Sequence, residues 1–306
     1  MQRKLIKQGN QGYTVTLPIT WIRTKNLKAS DEIEINEVGE GLLLSVERKK
    51  EQRDISVDFS FETEFSIRAR LNDLYRLGYD QIQIKYKNKE QSELIGRIVS
   101  SCLLGFEKTS ETEHKLIIES ITEPNEGKEH VLLRRMFLLI KESFNLTRES
   151  LETNKITCLD ELSKIYSKID LYDNFNKRNI YKKRMVDTRF NHYWNLYSNL
   201  LLIQHSIYYL VKSLSNKRFN ISKSNLDILD HIDSIFDEVY NSFFNNKSNQ
   251  VTESSIKLKE ILYERIHKKI MKSSGTESIF LYYLGELTRL IYVTNVPISC
   301  IISINE

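Results

Sequence analysis

From Lys128 to the C-terminus, apolar residues recur in alternating steps of four and three, the period of one buried helix face. Leu133, Phe137, Ile140 and Phe144 begin the series, followed by Cys158, Leu162, Ile165, Ile169 and Tyr172. Phe190, Trp194, Tyr197, Leu201, His205 and Tyr208 keep the same rhythm. Leu226, Leu229, Phe236, Val239 and Phe243 mark a fourth helix, Leu258, Leu262 and Ile266 a fifth, and Phe280, Leu284, Leu287 and Ile291 a sixth. Breaks at Thr153–Thr157, Asp187, Asn216–Ser222, Asn245–Thr252 and Ser273–Thr276 separate them. Ten glycines and three prolines in 306 residues provide few other interruptions, so long helices are favoured over a many-stranded sandwich. Residues 128–306 are therefore expected as an all-helical domain, two similar triplets forming tandem three-helix bundles. Pro297 lacks an amide proton and is expected to end or kink the last helix.

Upstream the period changes. Ile55–Phe61 alternates as a strand. Phe65, Ala69, Leu71, Leu74 and Leu77 recur at helical spacing and stop at Gly78. Gln81–Lys87 reads as a second strand, Leu94–Leu103 as a second helix ending near Gly105, and Lys115–Ile121 as a third strand. A small βαβαβ middle domain over 53–122 follows, with helices on one face of a sheet. It reads as a spacer or dimer-contact module. No glycine-rich phosphate loop follows any of its strands, and Cys102 sits on the apolar stripe as a packing residue.

At the front of the chain the charge is segregated. Met1–Ser30 carries six cations, Arg3, Lys4, Lys7, Arg23, Lys25 and Lys28, and no acid; Asp31–Glu40 carries five acids and no base. The whole chain is only +4, so a basic cap precedes a near-neutral body, the footprint of a polyanion-binding patch. Lys4–Lys7 and Tyr13–Leu17 read as strands around the Gly9–Gly12 turn. Pro18 opens a short helix over Ile19–Asn26. Glu32–Glu37 and Leu42–Glu47 form a second hairpin, and the charged Glu47–Asp54 a joint. About 47 residues of this kind bury too little surface to be stable alone, so a second copy is expected to complete the fold.

Several classes are excluded. The most apolar stretch, Ile279–Ile304, contains Glu286, Arg289, Asn295 and Pro297, so no membrane-spanning segment is expected. Cys102, Cys158 and Cys300 lie far apart with no CxxC, as in a reducing compartment. The six histidines show no HxH or HExxH spacing, and no nucleophile–base pair emerges, so no enzyme and no cofactor are expected. His205 on an apolar stripe reads as a hydrogen-bonded core residue. Asp170/Asp173 and Asp227/Asp230/Asp233 read as solvated acidic faces. The tyrosines, sixteen in all and concentrated on helices at Tyr193, Tyr197, Tyr208 and Tyr209, read as a polar-tipped core or an interface.

Met1–Asn10, then Val15–Trp21 with its Leu17-Pro18 step, then Leu27–Ile35 with Asp31-Glu32-Ile33, resemble the SpoVT/AbrB family of DNA-binding domains over 1–47. The resemblance implies a swapped-hairpin β-barrel built by two chains, hence a homodimer through residues 1–47. It also implies DNA contact by Arg3, Lys4, Lys7, Asn10, Gln11, Arg23 and Lys25. With Leu74–Ile82, Leu104–Glu107 and the six helices added, the order of parts resembles archaeal PhoU-type phosphate uptake regulators along essentially the whole chain. Members of that family hold metals through acidic pairs on the third helix of each repeat. Here Leu201, His205, Thr288 and Tyr292 stand at those positions, so no metal cluster is expected.

The chain is thus expected to be an α+β multidomain protein in the cytoplasm. It would be a homodimeric, DNA-binding transcription regulator of phosphate uptake or a related response, with a PhoU-like helical sensor. The alternative is an adaptor that dimerises through its barrel without binding DNA. In that version it would dock on a transporter or signalling kinase of the phosphate transport system. The family resemblance alone does not choose between the two, because related barrels serve as pure dimerisers.

Overall fold

The computed structural model describes residues 2–9, 12–38, 41–46, 53–122, 129–183 and 189–305. The protein is an α+β fold, 65% helical, with small sheets and a C-terminal helical region. Contacts divide it into two units, Met1–Glu51 and Gln52–Glu306.

The first unit contains two separate antiparallel hairpins. β1 (Ile6–Gln8) pairs with β2 (Gly12–Thr14), with Lys7 opposite Tyr13, and β3 (Glu34–Val38) pairs with β4 (Gly41–Ser45), with Ile35 opposite Leu44. Among the described residues these strands do not close into a barrel. Between the hairpins lies α1 (Ile19–Thr24), entered through Pro18, whose missing amide proton costs nothing at a helix start. Asn26 ends it at φ +53°, and the Leu27 amide donates back to the Ile22 carbonyl at 3.0 Å, the closing bond of a left-handed cap. Each strand is shorter than its alternating pattern. Val15, Thr16 and Leu17, expected in the second strand, have no ladder partner. The Gly39-Glu40 turn and most of the charged joint, residues 47–52, fall outside the described residues.

The second unit begins with β5 (Asp54–Asp58), α2 (Glu64–Arg76), β6 (Gln81–Lys85), α3 (Lys89–Cys102), β7 (Phe106–Thr112) and β8 (Lys115–Ser120). Both helices have a side-chain N-cap: Thr63 accepts from the Ser66 amide and Asn88 from the Gln91 amide. The sheet order is β5-β6-β8-β7, with β5 parallel to β6 and the other pairings antiparallel. The sheet therefore has four strands where three are expected from the sequence. β7 (FEKTSET) is polar after Phe106 and shows no alternation; it lies at the sheet edge against β8, with a bulge between Lys108 and Ser110. Gly105 is required here, at φ +82°, since a Cβ would lie 2.5 Å from the Thr122 carbonyl oxygen. Ile82, Ile84, Leu116 and Ile118 face Ile67, Leu71, Tyr75, Ile95 and Ile98 in one buried cluster.

The helical region comprises α4 (Glu129–Glu152), α5 (Leu159–Lys183), α6 (Phe190–Leu214), α7 (Lys223–Phe244), α8 (Ser248–Glu260), a π-helical turn (Ile261–Ile266), α9 (His267–Ile270) and α10 (Gly275–Asn305). A single buried cluster runs from Leu133 to Ile302. The fifth expected helix is thus interrupted by a π-turn, a feature with no signature in the Leu258-Leu262-Ile266 spacing. Pro297 does not end the last helix: α10 continues eight residues beyond it to Asn305, and Pro297 itself is buried among the flanking core residues. By length and composition alone, α10 is long and apolar enough to cross a membrane, and half of its most apolar window is buried inside the protein.

Helix α5 joins the two clusters. Arg178 donates to the Tyr75 and Tyr79 carbonyls at 2.9 and 2.7 Å and to Asp80 at 2.6 Å. Its guanidinium also lies over the Tyr75 and Phe106 rings. Asn174 donates to Asn72 and to the Cys102 carbonyl. Asp173 is fully buried, not solvated as its spacing from Asp170 suggests: it accepts from Arg76 at 3.1 Å and from Lys177 at 3.0 Å. Burial pushes the Asp173 carboxyl above the usual carboxylate range and the Lys177 ammonium below its own. Residues read as a spacer are therefore welded to the helical region by buried charge and hydrogen bonds.

The second acidic run stays nearer solvent, with Asp230 exposed and Asp227 and Asp233 half-buried, yet it is paired. Asp230 accepts from Arg148 of α4 at 2.6 Å, and Lys141 of α4 pairs with Asp237 at 2.7 Å. Asp233, half-buried between them, has its carboxyl raised to about 6 by burial and by the neighbouring Asp237.

Candidate nucleic-acid interface

The cations of the first unit come from three places. Arg3 and Lys4 lie in the extended lead-in to β1, Lys7 in the middle of β1, and Arg23 and Lys25 at the last turn and C-cap of α1. All five are exposed. None of them forms an ion pair, a hydrogen bond through its side chain or a ring contact among the described residues. Long cationic side chains that satisfy nothing within their own chain are available to an external anion. The neighbouring acids do not neutralise them. Asp31 accepts from the Lys28 backbone amide at 2.7 Å, and Glu34 accepts from the Ser45 hydroxyl at 3.2 Å. Asn10 and Gln11, the two polar turn residues expected at this surface, fall outside the described residues.

The same unit exposes apolar side chains. Leu5, Tyr13 and Leu42 are 71%, 67% and 64% exposed, and Ile6, Ile19 and Ile35 are more than half exposed. No described residue from 2 to 46 is buried. Each large side chain left in water forgoes about 1.5–3 kcal/mol of burial, and grouped exposed apolar side chains are a feature of surfaces that associate.

The positions that hold acids in the resembled family are scattered in their surroundings. His205 stacks flat on Tyr166, with ring centroids 4.1 Å apart at 9°, and its Nε2 lies 2.8 Å from Asp170 Oδ1. Leu201 is half-buried beside the core. Thr288 is buried and donates to the Leu284 carbonyl at 2.7 Å. Tyr292 is half-buried under the Lys259 ammonium at 5.3 Å. Among the described residues no three His, Cys, Asp or Glu side chains gather as a metal would require.

Sequence reasoning missed the buried Arg76–Asp173–Lys177 group and the Arg178 clamp. The Asp173/Lys177 spacing of four was a usable signal for a helix-face pair. Their partners Arg76 and Asp80 lie about a hundred residues away, and nothing local points to them. It also missed Gln204, fully buried on α6 with neither amide atom hydrogen-bonded among the described residues. Of the tyrosines, Tyr197 is buried and Tyr209 exposed, so the group divides between core and surface. No protein-family model, no curated protein and no solved structure matches this chain.

Proposed function

We propose that the protein is a DNA-binding regulator whose first unit acts as a pair. Two copies of residues 1–47 interleave their hairpins into one SpoVT/AbrB-like barrel, covering Leu5, Ile6, Tyr13, Ile35 and Leu42. The paired surface presents Arg3, Lys4, Lys7, Arg23 and Lys25 twice over, with Asn10 and Gln11 on the turn. The observation that carries this reading is the coincidence, within one small unit, of exposed apolar side chains with none of the described residues buried and five cations without partners among the described residues. Arg3 and Arg23 suit guanine edges, because a guanidinium donates two parallel hydrogen bonds to O6 and N7. The lysines suit phosphates, each neutralised phosphate steepening the salt dependence by about 0.9 in log–log slope. The PhoU-like helical region serves as the sensor, in a phosphate-uptake or related response. Its ligand state shifts DNA affinity only by as much as it binds the two states of the regulator differently.

The test is selection of genomic DNA fragments by the full-length chain at two salt concentrations, beside the Arg3→Ala/Arg23→Ala variant. Selective, salt-sensitive enrichment that the variant loses is the expected result. No enrichment at either salt overturns DNA binding and leaves the first unit as a dimeriser on an adaptor protein.

A further inference from the structure

A hollow of about 400 Å³ opens in the second unit where α2 and α3 meet α5 and α6. That volume lies within the range of about 300–1,000 Å³ typical of small-molecule sites, which favour such junctions between cores. Its walls come from both hydrophobic clusters: Arg68 from α2, Ser163 and Asp170 from α5, and Tyr208, Tyr209 and Lys212 from α6.

The charges on these walls are unevenly satisfied. Arg68 rests one guanidinium nitrogen on Cys102 Sγ at 3.1 Å. Its other terminal nitrogen has only Glu64 at 3.7 Å, too far for a hydrogen bond. Lys212 makes no ion pair among the described residues; its ammonium lies 5.5 and 5.8 Å from the Tyr208 and Tyr209 ring centres. The Ser163 hydroxyl also has no partner among the described residues. Asp170, the one carboxylate lining the hollow, is already engaged by His205 Nε2. His205 is in turn stacked on Tyr166, so the acid is held against the wall. Burial and the Asp170 charge push the Tyr166 phenol up, which keeps it a neutral hydrogen-bonding group. Two cations with open valence and an unused hydroxyl call for an oxyanion. Tyr208 and Tyr209 stand edge to face, their planes 67° apart, and the exposed Tyr209 ring offers an apolar face beside it.

We infer that this hollow binds a small organic oxyanion, its charged head taken by Arg68 and Lys212 and a flat ring lying against Tyr209. Such a ligand touches helices of both clusters and braces them against each other. Its binding does not require that the first unit touch DNA.

Calorimetric titration of the full-length chain with phenyl phosphate, benzoate, inorganic phosphate and phenol tests this. Phenyl phosphate and benzoate present the same ring with different heads. Saturable binding of either at one site per chain, tighter than inorganic phosphate and phenol alike, is the expected result, and the tighter of the two identifies the head group. Lys212→Gln and Arg68→Gln each weaken it by about tenfold or more. Tyr209→Ala removes the advantage of the ring-bearing probe over inorganic phosphate. Lys259→Gln, in a separate hollow near Tyr292, leaves binding unchanged. All three binding-site residues reach solvent, so these substitutions leave the fold intact. The inference is overturned if neither ring-bearing anion saturates by about 10 mM, if phenol binds as well as they do, or if Lys212→Gln binds like the unaltered chain.

Discussion

Residues 2–46 carry leucines, isoleucines and a tyrosine much as the rest of the chain does, yet none of the described ones is buried. Residues 57–302 of the second unit bury two large apolar clusters and a set of charged side chains between them. Apolar content therefore does not separate the two units. What separates them is the surface available within one chain to cover that content: two short hairpins and one helical turn leave their side chains exposed, whereas a four-stranded sheet and the long helices of the second unit cover theirs. The first unit should behave as half of a structure, and the second as a whole one.

Paired core substitutions test that contrast with the largest effect. Phe137→Ala removes a fully buried ring surrounded by Phe236, Tyr240, Phe243 and Phe244. It should cost about 3–5 kcal/mol in denaturant unfolding, independent of protein concentration. Ile35→Ala should leave that transition in place and instead weaken self-association, seen by sedimentation across a dilution series. A concentration-independent loss of similar size at Ile35 would break the comparison.

Asp173→Ala leaves Arg76 and Lys177 without their shared anion at the buried junction of α5 and α2. A loss of about 3 kcal/mol or more is expected, read as a lower denaturation midpoint. Gln204→Leu replaces two unsatisfied buried amide atoms with carbon and should raise stability by about 1–2 kcal/mol. That gain would mark Gln204 as a cost the core bears rather than a support.

A smaller effect appears in the pH dependence. The folded Asp233 carboxyl is raised to about 6 from its ordinary 3.8, so within that window the folded state binds a proton the unfolded chain has released. Stability is then highest below the window and falls as pH rises towards 6. Asp233 is only half-buried, and solvent screening keeps the change to about 1 kcal/mol. Asp233→Asn should flatten the profile across pH 4–6 while leaving the rest of the curve unchanged. Arg3→Ala/Arg23→Ala should change unfolding least, by under about 0.5 kcal/mol, because neither side chain has a partner among the described residues. Under the proposed function its effect falls on DNA binding instead, and a large stability loss would show these arginines to be structural.

The sequence by itself determined much of the local structure and the lack of a buried core among the described residues of the first unit. Steps of four and three place the helices of the second unit, and Thr63 and Asn88 occupy the caps their chemistry favours. The apolar content of 1–47 exceeds what that length can bury. The elements that escaped notice lack a local signal: β7 has no alternation, and its only apolar anchor is Phe106. The π-turn at Ile261–Ile266 and the continuation of α10 past Pro297 depend on neighbouring helices, which stabilise a backbone that sequence rules alone would break. The same holds for chemistry. Asp170 and Asp173, three residues apart on one helix, have different fates because Asp173 meets Arg76 of α2 and Asp170 meets His205 of α6. Arg68 and Lys212, 144 residues apart in sequence, reach one hollow. Spacing along a chain reports which face of an element a residue occupies; what that face meets is decided by packing between elements far apart in sequence, where the burial of apolar surface chooses the partners.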